Sequence, residues 1–291
     1  MHQASTELAF LQLTAPVYGR NGPRQFQDLL RRYQTHWKEL PEAAKDGSSS
    51  VWTMTLNHAQ QRMKAAMPYI TDFISCESRE PALLDPRSGL VISHEKVREF
   101  VENFDLKLPD SSCGKPRVAV VLPNGPLMAL ALLAVANRYT LVPMTTTATP
   151  EELMRDLDAV GADAVLILDS DMKRLHTRAE LLVFTVQPQD DLTFSVTCAN
   201  YSTIPRGAQN APNGPDDLAI ILATSGTSGT KKLVPITTFN LLVSAKFVID
   251  SLELSPRSRC LNMMPLHHVY GSLRYHTVNA ERYALTEEVA V

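Results

Sequence analysis

The chain has 291 residues, of which 44% are hydrophobic and 20% charged, and this composition is typical of a globular protein with one or two domains. Because its formal net charge is only -3 and its basic residues form no concentrated tract, we expect neither a nucleic-acid partner nor an anionic membrane surface. No segment has the roughly 18 consecutive apolar residues of a membrane span, and residues 1–13 do not resemble a secretory signal. The four cysteines lie far apart without metal-ligand spacing, which favours a reduced chain inside the cell, in the cytoplasm.

The first 75 residues differ in pattern from the rest. Apolar residues recur with helical spacing over 26–37 and 54–74, and Gly47 with the three serines after it separates these two stretches. We therefore predict a helical N-terminal extension over residues 1–75 and a second domain over 76–291.

Strands and helices are predicted to alternate from residue 81 onward. Residues 82–93 predict two strands around a turn, and a helix from His94 to Phe104 follows, in which the position of His94 favours a surface or capping role. The elements predicted next are a strand over 117–124, a helix over 127–136, a strand over 141–143, a helix over 150–160 that begins with proline and two glutamates, and a strand over 164–168. Such alternation is typical of an α/β fold, in which layered, mostly parallel sheets are flanked by helices. Residues 170–215 carry one clear signal, an apolar run over 181–186.

A loop rich in hydroxyls and glycines interrupts the apolar pattern after residue 223. Residues 218–223 predict a buried strand, residues 233–236 a second strand, and residues 238–252 a helix. Glycine permits backbone conformations in which successive N–H groups face a ligand, and a lysine adds countercharge. The sequence therefore predicts a phosphate-binding loop, formed by Thr224, Ser225, Gly226, Thr227, Ser228, Gly229, Thr230, Lys231 and Lys232.

Spacing separates this loop from three others of similar composition. A Walker A loop has four residues between its glycines, whereas two lie between Gly226 and Gly229. A nucleophile elbow needs Gly-x-Ser-x-Gly before a helix, and the glycine clamp of a KH module joins two helices, whereas a strand is predicted to follow here. A plain hairpin turn stays open as the structural alternative, since Ser, Thr and Gly are common turn residues.

The pattern Thr224-Ser225-Gly226-Thr227-Ser228-Gly229-x-x-Lys232 resembles the signature of the AMP-forming adenylating enzymes, a family of acyl- and aryl-CoA synthetases, luciferases and peptide-synthetase adenylation domains. The family usually has proline before the lysine, where this chain has Lys231. Residues 118–124, 142–143 and 149–153 resemble its earlier blocks in the same order. The resemblance implies that the loop holds the β- and γ-phosphates of ATP, with Lys232 as a catalytic residue, while a carboxylate attacks the α-phosphate and pyrophosphate leaves.

A pair of histidines lies in a second block that resembles this family. Residues 265–271, Pro-Leu-His-His-Val-Tyr-Gly, are similar to the family's Pro-x-Phe-His-x-x-Gly. The resemblance implies that His268 is a catalytic residue lining the pocket for the carboxylate substrate, while His267 takes the usual aromatic position. Since neighbouring side chains on an extended segment point to opposite faces, we expect the two histidines to be a poor chelate for one metal ion.

A third block, Tyr283-Ala284-Leu285-Thr286-Glu287, resembles the family's later Tyr-Gly-x-Thr-Glu. The resemblance implies that Tyr283 stacks on adenine, that Thr286 approaches phosphate and that Glu287 holds magnesium. The block stands closer to the histidines than in complete members, so a chance match in a frayed polar tail is the alternative.

The resemblance as a whole implies ATP- and magnesium-dependent activation of a small-molecule carboxylic acid to an acyl-adenylate. The acyl group then passes to CoA or to the phosphopantetheine thiol of a carrier protein. The chain resembles the N-terminal portion of such an enzyme, without counterparts of the C-terminal lid and the ribose-binding aspartate. We therefore expect this truncated chain to bind ATP weakly and to turn over slowly or not at all. The alternative is a non-catalytic nucleotide-binding or regulatory fragment.

Overall fold

The chain divides into two compact units, Met1–Ala66 with Phe247–Leu254, and Met67–Lys246 with Ser255–Val291. Of the two helical stretches predicted near the N-terminus, the one over 26–37 lies outside the described residues, and within 54–74 a short 3-10 helix is described at Ile70–Phe73. The computed structural model describes residues 61, 64, 69–74, 79–109, 114–175, 180–200, 209–224, 232–252, 258–262, 264–268 and 283–285.

Strands and helices alternate over residues 117–168 in the order that the sequence predicts. The strands are β1 (Pro81–Leu84), β2 (Val91–Ser93), β3 (Arg117–Val121), β4 (Thr140–Pro143), β5 (Ala164–Leu168), β6 (Leu182–Pro188), β7 (Phe194–Cys198), β8 (Leu218–Thr224), β9 (Lys232–Thr237), β10 (Cys260–Asn262) and β11 (Tyr283–Leu285). The helices are α1 (His94–Asn103), α2 (Pro126–Ala136), α3 (Pro150–Val160) and α4 (Thr238–Ser251), and a 3-10 helix (Asp169–Arg174) follows β5. The bounds of α3 and β5 agree with the predicted ones.

The larger sheet has seven strands in the order β7-β6-β5-β3-β4-β8-β9. Its inner strands are parallel, whereas β7 and β9 pair antiparallel at the two edges. Helices α2 and α3 provide the crossover connections that parallel neighbours require. A smaller sheet has the order β10-β11-β1-β2, with β1 and β2 antiparallel and the other pairs parallel. The α/β fold with mostly parallel sheets is therefore confirmed.

The core lies on both faces of the larger sheet. Residues 118–121 of β3 and 164–167 of β5 are fully buried, because α2 and α3 cover opposite faces of a sheet built by crossovers. Helix α3 is amphipathic, and Leu153 and Leu157 pack in one apolar cluster with Val121 and Ile167. This packing holds the carboxyl ends of the parallel strands in fixed positions.

Local sequence signals explain where α3 begins and ends. Thr149 Oγ1 accepts a hydrogen bond from Glu152 N (3.2 Å), and Glu152 Oε2 accepts one from Thr149 N (2.9 Å), which completes a capping box. Gly161 ends the helix in the left-handed region, at φ +60°, where a side chain is strained. These signals are local, so the sequence alone located the helix.

A buried polar network joins three segments at the amino ends of the inner strands. The Tyr139 hydroxyl lies 2.6 Å from Asp105 Oδ1 and 2.9 Å from Asn210 Oδ1, and it accepts a hydrogen bond from Leu106 N (2.8 Å). Next to it, the buried Arg138 guanidinium donates to the backbone carbonyl of Asn210. Polar groups this deeply buried stabilise a fold when they are paired, so the network fixes the turn between α2 and β4.

The structure corrects the expected role of His94 and shows which element the apolar run over 181–186 forms. His94 has no surface role, because it is only 3% exposed, and Ser93 caps α1 by accepting from Lys96 N (3.3 Å). The apolar run over 181–186 belongs to an antiparallel hairpin of β6 and β7, which extends the larger sheet at one edge. The sequence did not predict β7.

Candidate functional site

The predicted phosphate loop joins two antiparallel neighbours, β8 and β9. Thr224, the last residue of β8, is paired with Lys232, the first residue of β9. Because β8 is parallel to β4, this end of the hairpin lies at the edge where the inner strands have their carboxyl ends. In open α/β sheets, ligands bind at that edge. Lys232 is exposed there, and residues 225–231 lie outside the described residues.

The two histidines lie on a turn that follows β10. His268 N donates a hydrogen bond to the Pro265 carbonyl (3.1 Å), which closes the turn. The imidazole rings of His267 and His268 have centroids 4.6 Å apart at an interplanar angle of 40°. The expectation that they point to opposite faces is therefore wrong, because it assumed an extended backbone and the backbone turns here.

A hydrogen bond from Leu266 to Asn124 attaches this turn to the larger sheet. Asn124 lies shortly after β3, and its Oδ1 accepts from Leu266 N (2.9 Å), 142 residues further along the chain. Leu266 itself is fully buried. The backbone of residue 266 is therefore held between a packed side chain and a side-chain amide, directly beside His267.

A cavity of about 470 Å3 brings the histidines and the hairpin together. Both histidine side chains line it, as do Ala223 and Leu233, the residues that flank the paired ends of the loop. Most of the remaining wall is apolar and comes from the end of β4 and the inner face of α3. Arg155 and Asp156 add one charge of each sign. The arrangement suits a ligand with an apolar body whose polar end faces the histidines.

A smaller cavity of about 260 Å3 adjoins the first. The two share Thr145, Thr147 and His267, and the smaller one is also lined by Asn124. The Thr145 and Thr147 hydroxyl oxygens lie 2.8 Å apart. This polar wall stands at the carboxyl ends of β3 and β4, and it gives the site hydrogen-bonding groups besides the imidazoles.

Some of the predicted site residues lie near one another, and others lie outside the described residues. The backbone of Thr224, the start of β9 at Lys232 and the side chain of His268 lie around one edge of the sheet. Tyr283 begins β11, which pairs with β1 on one side and β10 on the other, so residues 283–285 are not a frayed tail. The predicted residues outside the described part are Ser225, Gly226, Thr227, Ser228, Gly229, Thr230, Lys231, Thr286 and Glu287.

Sequence reasoning missed Asn124 and the two threonines of the shared wall. The available signal was an asparagine directly after a buried strand and before a Gly-Pro helix start, which places a polar side chain at the carboxyl edge of the sheet. The partner of that side chain, 142 residues away, could not be found from spacing.

The described residues contain no group of three or more His, Cys, Asp or Glu side chains that could hold a metal ion, although Glu287 lies outside them. No helix within them is both long enough and apolar enough to cross a membrane.

The chain is similar to known proteins over most of this unit. A family model described as AMP-binding enzyme matches residues 92–278. Oxalate–CoA ligase from Arabidopsis thaliana is 30% identical over 197 residues, which are 62% of this chain and 37% of that protein. Sulfoacetate–CoA ligase from Cupriavidus necator is 25% identical over 66% of this chain and 38% of that protein. The chain thus spans less than two fifths of the length of these relatives.

Solved structures share the fold. The long-chain-fatty-acid–CoA ligase from Archaeoglobus fulgidus superposes with a TM-score of 0.60 at 18% identity, over 75% of this chain and 47% of that one. O-succinylbenzoate coenzyme A synthetase from Bacillus subtilis, in complex with ATP and magnesium ion, has a TM-score of 0.59 at 16% identity, over 77% of this chain and 58% of that one. These likenesses confirm the architecture of the sheets and helices.

Proposed function

The chain belongs to the family of AMP-binding enzymes, and we propose that it forms part of a site that activates a carboxylic acid with ATP. In this proposal a carboxylate oxygen attacks the α-phosphorus of ATP, the bond from that phosphorus to the bridging oxygen breaks, and pyrophosphate leaves. The product is a mixed anhydride, the acyl-adenylate. A thiolate then attacks its carbonyl carbon, and AMP leaves with the oxygen through which the acid had joined it.

The observation that carries the proposal is the cavity of about 470 Å3. His267 and His268 line this cavity together with Ala223 and Leu233. Ala223 and Leu233 are next to Thr224 and Lys232, the paired residues at the two ends of the loop. An acid held near the histidines therefore lies beside the loop that is proposed to hold triphosphate. Holding two anionic reactants together in this way supplies much of the rate enhancement when no nucleophilic side chain takes part.

Each predicted site residue has a role in this proposal. Loop residues 224–229 bind the β- and γ-phosphates, and Lys232 balances the negative charge that develops as pyrophosphate leaves. His268 orients the attacking carboxylate by hydrogen bonding. Tyr283 and Thr286 are proposed to contact adenine and phosphate. Glu287 is proposed to hold magnesium, which in nucleotide sites takes most of its ligands from phosphate and water.

For the acceptor and the acid, only the chemical class is proposed. The named activities of the relatives are CoA ligations of oxalate and sulfoacetate, which favours CoA over a carrier-protein thiol as the acceptor and a small-molecule carboxylic acid as the substrate. The two domains, residues 1–75 and 76–291, and a cytoplasmic location remain proposals from the sequence.

The proposal is tested by the exchange of labelled pyrophosphate into ATP with a panel of carboxylic acids. Wild-type chain should catalyse slow exchange that depends on the acid, and Lys232→Met should abolish it. Lys115→Met is the matched control, because Lys115 Nζ donates to the Ala211 carbonyl (2.7 Å), away from the site. ATP binding without exchange for any acid would instead support the non-catalytic nucleotide-binding alternative.

A further inference from the structure

We propose that Asn124 is a positioning residue, which sets the place of the His267–His268 turn through its bond to Leu266 N. The part of the proposal that concerns catalysis rests on the proposed function of His268. The geometric part does not, since it concerns where the two imidazoles lie relative to the sheet.

The orientation of the Asn124 amide follows from its partner. Because Leu266 N–H can only donate, the atom that faces it at 2.9 Å must be the amide oxygen. The amide nitrogen then points the other way, where it is buried and has no hydrogen-bond partner among the described residues. The amide oxygen is therefore the group through which Asn124 holds the turn.

The position of the bond explains why it controls the imidazoles. Leu266 immediately precedes His267, and the turn is closed two residues later by the bond from His268 N to the Pro265 carbonyl. Before the turn, Met264 N donates to Asn262 Oδ1 (3.0 Å) at the end of β10. Asn262 thus holds the turn at the end of β10, and Asn124 holds it at the carboxyl edge of the larger sheet. Loss of the Asn124 bond should let the histidines shift relative to the paired ends of the β8–β9 hairpin.

Loss of the Asn124 bond should lower the catalytic rate more than the affinity for ATP. The loop that is proposed to bind ATP is carried by β8 and β9, which Asn124 does not contact through this bond. A displacement of about 1 Å in a reacting group can lower a rate by roughly 100-fold. For Asn124→Leu we therefore expect kcat for acid-dependent exchange to fall about tenfold or more, while KM for ATP stays within about twofold.

The geometric test uses magnetic resonance of the eight histidines, with His267 and His268 assigned from His267→Gln and His268→Gln. In the wild type, the rings 4.6 Å apart should give a cross-peak between them. Asn124→Leu, similar in volume but without an acceptor, should weaken the cross-peak and shift both ring signals. Asn124→Asp keeps an acceptor and should retain the cross-peak. If Asn124→Leu does not fold, Asn124→Ala is the second variant and should behave in the same way.

Thr140→Val is the matched control for loss of one buried hydrogen bond. Thr140 Oγ1 donates to the Leu218 carbonyl (3.0 Å) at the amino ends of β4 and β8. This variant should lose stability with the cross-peak unchanged. If the Asn124 variants keep the wild-type cross-peak and ring signals, the positioning role is overturned. If wild-type chain shows no acid-dependent exchange but the variants still lose the cross-peak, the proposed function fails while the positioning of the turn stands.

Discussion

Thr224 and Lys232 are directly paired across the β8–β9 hairpin, so the segment of seven residues between them begins and ends at neighbouring positions on the sheet edge. Paired residues of antiparallel strands lie only about 4.5–5.5 Å apart between Cα atoms. Both ends of the loop therefore lie at the carboxyl end of β8, beside Ala223 and Leu233, which line the cavity together with the histidines.

Replacement of Lys232 by methionine should weaken ATP binding. A hydrogen bond between an ammonium group and phosphate contributes about 1.5–3 kcal/mol, which corresponds to roughly 10- to 100-fold in affinity. The measurement is the rise in unfolding temperature on adding ATP, because a ligand that binds the folded state must raise it. Lys115→Met should respond to ATP like the wild type. Equal ATP responses in all three proteins would remove Lys232 from the nucleotide site.

Replacement of His268 by alanine should impair use of the acid and leave ATP binding intact. Its imidazole lines the cavity, and a hydrogen bond to a carboxylate contributes about 1.5–3 kcal/mol, so kcat/KM for the acid should fall roughly 10- to 100-fold. The measurement is acid-dependent pyrophosphate exchange at several acid concentrations. The ATP-induced rise in unfolding temperature is the internal control and should be unchanged. Exchange within twofold of wild type would show that His268 does not contact the acid.

Tyr139→Phe should destabilise the fold without touching the site. Removal of the hydroxyl leaves the buried Leu106 amide without its acceptor and takes away the one proton that the hydroxyl donates to Asp105 or Asn210, at a cost of about 1–3 kcal/mol in the free energy of unfolding. Urea denaturation at pH 7 measures the loss. A variant as stable as wild type would mean that water replaces the hydroxyl.

The stability of the fold at alkaline pH gives a second test of the Tyr139 hydroxyl. Burial raises the pKa of its hydroxyl above the ordinary 10.0, and the hydrogen bond to Asp105 acts in the same direction. Because the folded-state pKa is the higher one, the contribution of Tyr139 to stability is complete below pH 10 and is lost as pH rises above it. The stability difference between wild type and Tyr139→Phe should therefore shrink above about pH 10. A difference that stays constant to higher pH would contradict the burial of the hydroxyl.

Asp191→Asn should produce a small, acid-sensitive loss of stability. Hydrogen bonds from the Thr193 hydroxyl (2.5 Å) and Lys96 Nζ (2.9 Å) lower the pKa of Asp191 to about 2. Both charged side chains are about half exposed, so the pair contributes no more than about 1 kcal/mol. Because the folded-state pKa is lowered, this contribution is present above the ordinary pKa of 3.8 and is lost as pH falls toward 2.

Urea denaturation at pH 7 and at several pH values below 4 checks the Asp191 prediction. The difference between wild type and Asp191→Asn should be largest at neutral pH and should shrink as the carboxyl group gains a proton. Asp190→Asn, at the neighbouring exposed carboxylate, is the control and should leave stability unchanged. A difference for Asp191→Asn that grows with acid would contradict the stabilising pair.

The sequence predicted the elements whose signals are local. Helix α3 has its capping box at Thr149 and its glycine at 161, so both ends were correct. The β6–β7 hairpin was missed at its second strand because the residue with positive φ in its turn is Leu192, at 65°, and not the usual glycine or asparagine. Its turn therefore lacks the glycine or asparagine that usually marks such a hairpin.

The sequence motifs of the site predicted the family. The loop pattern and the histidine pair pointed to one family, and the family match confirms that assignment. The contact of Asn124 with Leu266 depends on tertiary packing between distant segments, which no spacing rule describes. The shared orientation of His267 and His268 depends on a turn closed at Pro265, and the sequence had suggested an extended segment instead.

We propose that the chain directs a carboxylate oxygen to the α-phosphorus of ATP, and an isotope label tests this step. The most direct measurement uses a carboxylic acid labelled with 18O in its carboxylate, incubated with ATP, CoA and stoichiometric amounts of the protein, followed by mass spectrometry of the products. Attack at the α-phosphorus predicts one labelled oxygen in AMP and none in pyrophosphate. Label in inorganic phosphate, or AMP formed without label, would contradict the account.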